Sequence, residues 1–263
     1  MALTSKTPAS TFKDLLTIEN SNNGVDSTLR NVNTGNGTNT STSISDRSLK
    51  VLSATDNTTA LDIQNAAGST KVVVDTTNSQ VKALGTHINT QYARFGIGHG
   101  ESQNYGANTH HPVPFVSNIV GLSTHQDNLT FGTSTDPATT FTTADAADND
   151  AALLVGFMWY VPDNISIDSV YHIEGANNSS GDTTRMHLFS YTFTSGSTSA
   201  LTSGTLLAHS NDITNAGAEQ AYLGTWTVDS ASVTASKVIL AFFRSDSIAS
   251  DYSLSLTVKY HLT

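Results

Sequence analysis

Hydrophobic residues in the first third of the chain occur as short, regularly spaced pairs. Each pair consists of two apolar residues separated by one other residue, and successive pairs start about 9 to 12 residues apart. A period of two is the pattern of a short β-strand with one buried face. The pairs are Leu49 and Val51, Leu61 and Ile63, Val72 and Val74, and Val81 and Ala83. The Ser, Thr, Asn, Asp and Gly clusters between them predict turns.

These pairs supply too little apolar surface for a hydrophobic core within one chain. Ordering one residue costs roughly 1–2 kcal/mol of backbone entropy, whereas one fully buried Leu or Val returns about 1.5–3 kcal/mol. Either residues 21–95 are disordered, or several copies of the chain complete one another's core. The regular spacing favours the second interpretation, a homotrimeric β-rich shaft whose threefold packing leaves no exposed strand edge. Its predicted core residues are Leu49, Val51, Leu61, Ile63, Val72, Val74 and Val81.

The segment before the shaft, residues 1–20, contains the best helix candidate of the chain. A helix over Ser10–Leu16 would place Phe12, Leu15 and Leu16 on one face. So short a helix is marginal alone in water and needs a surface to dock against. We therefore expect Phe12, Leu15 and Leu16 to anchor the chain in a larger assembly, with a frayed tail as the alternative.

Residues 151–263 carry the pattern of a conventional antiparallel β-domain. Apolar and polar residues alternate without error from Tyr252 to Leu262, and Lys237–Arg244 is a continuous apolar run typical of a central strand. Tyr222, Gly224, Trp226 and Val228 alternate in one further predicted strand. The remaining predicted strands are 153–161, 165–173, 185–194 and 205–209. Together they predict an all-β protein with a C-terminal β-sandwich head that resembles a jelly roll.

Residues 96–150, between shaft and head, have no clear periodicity. Glycines at 96, 98 and 100 and prolines at 112, 114 and 137 indicate irregular chain. We expect this segment to be a collar that joins the shaft to the head.

Four segments of the chain resemble known phage proteins. Residues 7–16 and 24–32, and then 74–81 and 89–96, are similar to the N-terminal regions of fibre-like or decoration structural proteins of marine tailed bacteriophages. The resemblance covers about residues 7–98; the C-terminal part resembles phage jelly-roll heads in its strand pattern only. The resemblance implies a homotrimer that is anchored to the particle by its N-terminus and whose distal head faces the host or the solvent. It carries over no catalytic residue.

The composition argues against several classes of binding partner. Charged residues make up 13% of the chain and its formal net charge is −10, so a surface that binds nucleic acid is not expected. No apolar run approaches the length of a membrane span, and residues 1–10 lack the apolar core of a secretory signal. This composition fits a virion protein that is assembled in the host cytoplasm and exposed on the particle.

Motifs for enzymatic chemistry are missing from the sequence. It contains no Gly-x-Ser-x-Gly elbow and no P-loop. The four glutamates, Glu19, Glu101, Glu174 and Glu219, are isolated from one another. We therefore expect no enzymatic activity and no cofactor.

Metal sites were tested with two groups of residues. The collar histidines are His99, His110, His111 and His125. Their spacing matches no known metal-binding motif. In a trimer, however, a single histidine on the threefold axis would provide three ligands. The aspartates at 145, 148 and 150 miss the EF-hand spacing. No metal site is therefore predicted.

Three functions are consistent with this organisation. The preferred one is a tail fibre or receptor-binding protein whose head attaches to a host surface glycan or protein. The alternatives are a capsid decoration or head-fibre protein with a structural role, and a carbohydrate-binding module.

Trp159 and Tyr160 are adjacent and point to opposite faces of a strand, so only one of them is expected in the core. The receptor-binding residues are not predicted.

Overall fold

The chain folds into two units built from antiparallel β-sheets, which confirms the all-β class. The computed structural model describes residues 16–20, 23–97, 106–115, 131–140, 155–176, 180–196, 201–216, 220–247 and 252–263. The first unit spans Met1–Ile88 and the second spans Asn89–Thr263. Within the described ranges, no helix has the length and apolar character needed to cross a membrane.

The first unit contains two four-stranded antiparallel sheets, each with its strands in chain order. The first sheet consists of β1 (Leu16–Ile18), β2 (Arg30–Thr34), β3 (Asn39–Ile44) and β4 (Leu49–Val51). The second consists of β5 (Leu61–Gln64), β6 (Thr70–Asp75), β7 (Gln80–Ala83) and β8 (Thr86–His87). Each of the four apolar pairs in the sequence lies in its own strand, so the period-two prediction is confirmed.

Short polar side chains close the turns of the first unit. The Asn65 Oδ1 atom accepts hydrogen bonds from the backbone N–H groups of Ala67 and Ser69, at 3.1 and 2.8 Å. Asp75 accepts hydrogen bonds from both the backbone and the side chain of Asn78, and these bonds lower the pKa of the Asp75 carboxyl. Such side-chain bonds mimic a backbone turn and explain why Asn and Asp are common between the strands.

Two sequence predictions about the first unit need correction. Leu16 was predicted as the end of a helix, but it begins β1 and lies opposite Thr34, because this segment completes the hydrogen bonds of the β2 edge. Phe12 and Leu15 lie outside the described residues. The shaft was predicted to extend to residue 95, but Thr90–Ile97 forms β9 of the second unit, where it pairs with the last strand of the chain.

The second unit is a sandwich of two antiparallel sheets. One sheet has seven strands: β10 (His111–Val113), β11 (Trp159–Val161), β13 (Thr183–Thr192), β14 (Thr202–Ser210), β15 (Ile213–Thr214), β17 (Trp226–Val228) and β19 (Lys237–Ser245). The other has five: β9 (Thr90–Ile97), β12 (Ile165–Ala176), β16 (Gln220–Gly224), β18 (Ser232–Val233) and β20 (Tyr252–Leu262). This two-sheet arrangement confirms the predicted sandwich and is compatible with a jelly roll.

The main hydrophobic core fills the space between the two sheets. Met186, Leu188 and Phe243 of the seven-stranded sheet and Leu256 and Val258 of the five-stranded sheet are fully buried there. Each fully buried residue of this size contributes about 1.5–3 kcal/mol of transfer free energy. The second unit therefore has a hydrophobic core within one chain, whereas the first unit does not.

A second, smaller core lies on the outer surface of the seven-stranded sheet, beneath residues 131–140. Phe131 packs against Phe242, with ring centroids 5.0 Å apart. The Tyr191 hydroxyl donates a 2.9 Å hydrogen bond to the Ala138 carbonyl, and the Gly204 N–H donates to the Thr139 carbonyl at 2.7 Å. Part of the predicted collar therefore covers one face of the sandwich.

Three strand assignments in the second unit differ from the sequence prediction. The alternating segment 222–228 is two strands, β16 and β17, that join different sheets, because the chain crosses between the sheets at Thr225. In the described part of the apolar run 153–161, residues 155–157 form a 3₁₀ turn and the strand begins at Trp159, since a buried apolar run does not by itself specify a strand. The collar contributes β10, which tolerates Pro112 because it lies at the edge of its sheet.

Candidate functional site

The second sheet of the first unit has one apolar face, here called the β5–β7 face. It consists of two rows of side chains across three strands. In one row Leu61 lies opposite Val74, which lies opposite Val81. In the other row Ile63 lies opposite Val72, which lies opposite Ala83. Rows of this kind pack well against a second apolar surface.

The reverse side of the same sheet is polar. Asp62, Val73 and Lys82 lie opposite one another across the three strands and alternate with the residues of the β5–β7 face. Val73 is the one apolar residue of this row and is flanked by an acid and a base. The sheet therefore has one face suited to water and one suited to burial.

The first sheet of the same unit has a largely apolar face that also carries Arg30, which lies opposite Ile44. Ile18 lies opposite Val32, Ile44 lies opposite Leu49, and Val51 lies two residues beyond Leu49 on the same side of β4. Leu49 is 69% exposed and Val51 is 43% exposed. The strand period therefore gives each sheet of this unit one apolar face.

Among the residues that the structure describes, neither apolar face is covered. All residues of the two faces are partly or largely exposed, including Leu61 at 41% and Ile63 at 50%. In the described part of the first unit the one buried residue is a polar one, Asn33. Contiguous exposed apolar surface of this kind marks an interaction site or an aggregation hazard.

The exposed faces also extend onto open sheet edges. Leu61 and Ile63 lie on β5, and Leu49 and Val51 lie on β4, and in the described residues each strand has a ladder on one side only. An edge strand with apolar side chains is a template for pairing with another chain. Each of these two strands therefore combines an open edge with exposed apolar side chains.

The structure brings together most of the residues predicted for the shaft core. Leu61, Ile63, Val72, Val74 and Val81 share the β5–β7 face, whereas Leu49 and Val51 belong to the other sheet. Their role in subunit packing stays a prediction. Ile18, Val32 and Ile44 also lie on the face of the first sheet but were not predicted, because each is a single β-branched residue between polar ones, a weaker signal than a pair.

The second unit contains a buried chain of polar side chains that joins its two sheets. The Trp226 Nε1–H donates a 2.7 Å hydrogen bond to His172 Nδ1. The His172 Nε2 atom lies 3.4 Å from one oxygen of Glu174, and the Thr184 hydroxyl donates to the other oxygen at 2.7 Å. His172 and Glu174 belong to β12, whereas Trp226 and Thr184 belong to the opposite sheet.

The hydrogen bonds among these buried side chains determine the tautomer of His172. An indole N–H can only donate, so His172 Nδ1 must accept and its proton must lie on Nε2, facing Glu174. His172, Glu174 and Thr184 are at most 2% exposed. A substrate cannot reach groups so deeply buried, and we therefore assign these hydrogen-bonded side chains a structural role. Glu174 was treated as an isolated glutamate in the sequence because its partners lie on other strands.

Two histidines are buried in the second core. His110 and His187 have ring centroids 5.0 Å apart, and both side chains are fully buried. Burial lowers the pKa of His110 to about 4 and that of His187 to about 2, and the nearby cations Arg244 and Arg185 add to the effect. Asp136 lies 3.4 Å from His187 Nε2, but it is half exposed and does not offset the burial.

These two imidazoles are expected to make stability depend on pH. In the unfolded chain both titrate near 6.5, so the unfolded state binds more protons once the pH falls below that value. Their contribution to the free energy of unfolding is complete above about pH 6.5. As the pH falls from there towards 4, each group lowers this free energy by about 1.4 kcal/mol per pH unit. Urea unfolding measured at several pH values checks this slope.

A variant isolates the contribution of the histidines from that of the carboxylates. His187→Leu removes one titrating group, so its slope between pH 6.5 and 4.5 should be smaller than that of the wild type by about 1.4 kcal/mol per pH unit. Asp26, whose pKa is lowered to about 2 by hydrogen bonds from Arg30 and the Thr28 N–H, acts at lower pH. Equal slopes in the variant and the wild type would contradict the prediction.

The other residues considered for chemistry occupy separate places. His110 belongs to the second core, whereas its neighbour His111 lies opposite Phe243, whose ring is in the main core. The two imidazoles therefore do not converge on one ion. His99, His125 and the aspartates at 145, 148 and 150 lie outside the described residues. Trp159 is buried and Tyr160 is 50% exposed, as their adjacency predicts.

Protein-family models and curated proteins were both searched, and neither search finds a match to the chain.

Proposed function

We propose that this protein is a non-enzymatic structural component of a tailed-phage virion. It assembles as a homotrimer through its first unit, and the second unit is a head for attachment to the host surface. Residues 1–20 connect the trimer to other virion proteins of the capsid or the tail.

One observation carries the proposal. The first unit has two sheets with apolar faces, and a single chain leaves both faces exposed. Monomeric proteins rarely keep such surface in water, whereas subunit interfaces are built from it. Packing between copies covers the faces and also pairs the open edges of β4 and β5.

The contrast between the two units supports this division of roles. The second unit completes its own core within one chain. The first unit relies on turn side chains and strand hydrogen bonds, so it gains a core only on association. The resemblance of residues 7–98 to fibre-like phage proteins is consistent with such a trimer.

The mass of the intact protein in solution is the first test. Light scattering coupled to size exclusion should give about three times the 27.8 kDa of one chain. Limited proteolysis in parallel should leave residues 30–87 intact, because pairing protects the strands. A monomeric mass together with cleavage inside residues 30–87 would refute the proposal.

A further inference from the structure

The outer surface of the five-stranded sheet carries an unusual set of side chains, here called the aromatic–cationic face. It is defined by Tyr92 and Arg94 on β9, Tyr171 on β12, and Thr257 and Lys259 on β20. Thr257 lies opposite both Tyr171 and Arg94 in one row. Lys259 lies opposite Tyr92 in the next row, with Ser169 on its other side.

These side chains point away from the core. The residues that alternate with them, Ala93, Val170 and Val258 among others, are buried between the sheets. Tyr92 is 60% exposed and Tyr171 is 51% exposed. Ile173 and Leu223 lie opposite each other in the following row and are also exposed, which lengthens the apolar part of the surface.

The two cations of this face have no carboxylate partner among the described residues. Elsewhere in the second unit, Arg185 pairs with Asp212 at 2.6 Å, and Arg244 donates to Asn108 Oδ1 at 2.6 Å. The ion pairs of the described chain that involve Arg or Lys use Arg30, Arg47 and Arg185. On a protein of formal net charge −10, Arg94 and Lys259 therefore form a local positive site.

The composition of the face favours a hydrated anionic ligand over another subunit. Lys and Ser are depleted at the centre of protein–protein interfaces, yet Lys259 and Ser169 occupy the middle rows here. A twofold contact of this face with itself would also bring the same cations together without an acid to pair with them. Charge complementarity therefore selects a polyanion.

We propose that the aromatic–cationic face binds an acidic polysaccharide that carries uronic-acid carboxylates. Sugar rings pack on the exposed rings of Tyr171 and Tyr92, whose apolar faces suit the C–H side of a pyranose. Arg94 and Lys259 bind the carboxylates, and an arginine fork matches a planar carboxylate with two parallel hydrogen bonds. Thr257 and Ser169 are placed to bond the sugar hydroxyls.

The spacing of the two tyrosines sets the size of the ligand. They are two strands and one row apart, so sheet geometry places their Cα atoms about 12 Å from each other. A monosaccharide cannot contact both rings, whereas an oligosaccharide can. This inference rests on the proposed host-attachment function, because it names the ligand that the head would recognise.

The test uses the full-length protein and alginate, a polymer of uronic acids, in affinity electrophoresis and calorimetry. The wild type should be retarded by alginate, and the retardation should weaken as salt is added. Tyr171→Ala and Arg94→Ser should each weaken binding by about tenfold. Matched controls on the other sheet, Tyr160→Ala and Lys237→Ser, remove an equally exposed ring and one positive charge and should bind as the wild type does.

Two further probes decide what the site recognises. Neutral dextran should not bind, and dextran sulfate should bind no more tightly than alginate. A preference for dextran sulfate that the site variant Arg94→Ser and the control Lys237→Ser reduce equally would show general ion exchange and overturn the proposal. Absence of alginate binding by the wild type would overturn it as well.

The oligomeric mass separates this inference from the proposed function. A trimeric wild type that ignores alginate refutes the glycan site and leaves the structural role intact. A monomeric wild type refutes the trimer whatever it binds. If Tyr171→Ala lowers the oligomeric mass, the face is a subunit contact and the glycan proposal fails.

Discussion

Val74→Asp is expected to convert the oligomer into single chains. Val74 occupies the centre of the β5–β7 face, between Leu61 and Val81. Association would bury the new carboxylate against apolar side chains of another copy, and an unpaired buried charge costs at least several kcal/mol. Light scattering should show the mass falling from about three chains to one, and β5–β7 should become sensitive to protease.

The neighbouring valine provides a matched control. Val73 lies on the same strand but on the polar face, between Asp62 and Lys82. Val73→Asp makes the same chemical change within the same strand, and its carboxylate stays in water beside a lysine. It should keep the mass of the wild type. If both variants dissociate equally, or if neither does, the β5–β7 face is not the subunit interface.

Glu174→Ala is expected to destabilise the second unit by about 2–4 kcal/mol, the cost of an unpaired buried donor together with the void that remains. The carboxylate accepts from Thr184 and faces the Nε2–H of His172, so its removal leaves the His172 donor unpaired and leaves Thr184 only the Ile213 carbonyl at 3.4 Å. The loss also opens a void where the two sheets meet. The tight fit of this region is shown by Gly224, where an added Cβ would overlap the His172 ring.

A conservative variant separates hydrogen bonding from charge. In Glu174→Gln the amide oxygen can accept from His172, and the amide nitrogen can donate to Thr184, whose hydroxyl can then donate to the Ile213 carbonyl. This variant should stay within about 1 kcal/mol of the wild type. Equal losses in the Ala and Gln variants would contradict this account and point to the charge itself.

The measurement can be confined to the second unit. Both tryptophans of the chain, Trp159 and Trp226, lie in this unit, so their fluorescence follows its unfolding without a contribution from the first unit. Trp226 donates directly to His172 and should respond early to any loosening of the chain of buried polar groups. Urea titrations of the wild type and both variants then give the change in unfolding free energy.

Strand positions with a clean period of two could be predicted from the sequence. Tyr252–Leu262 and the four apolar pairs of the first unit form strands in the structure because alternation matches the pleat directly. Segment 222–228 alternates equally well and yet is two strands. Periodicity describes the faces of a segment, but it does not specify which neighbour each residue pairs with.

Residue chemistry alone determined the fold class and the shortage of apolar material in the first unit. Only the tertiary structure decided which residues meet. It assembled Leu61, Val74 and Val81 into one face, His172 with Glu174 and Trp226 into one buried chain, and Tyr171 with Arg94 across Thr257. The reason is that local pattern depends on neighbours within a few positions, whereas these contacts join residues far apart in sequence, and strand register sets them.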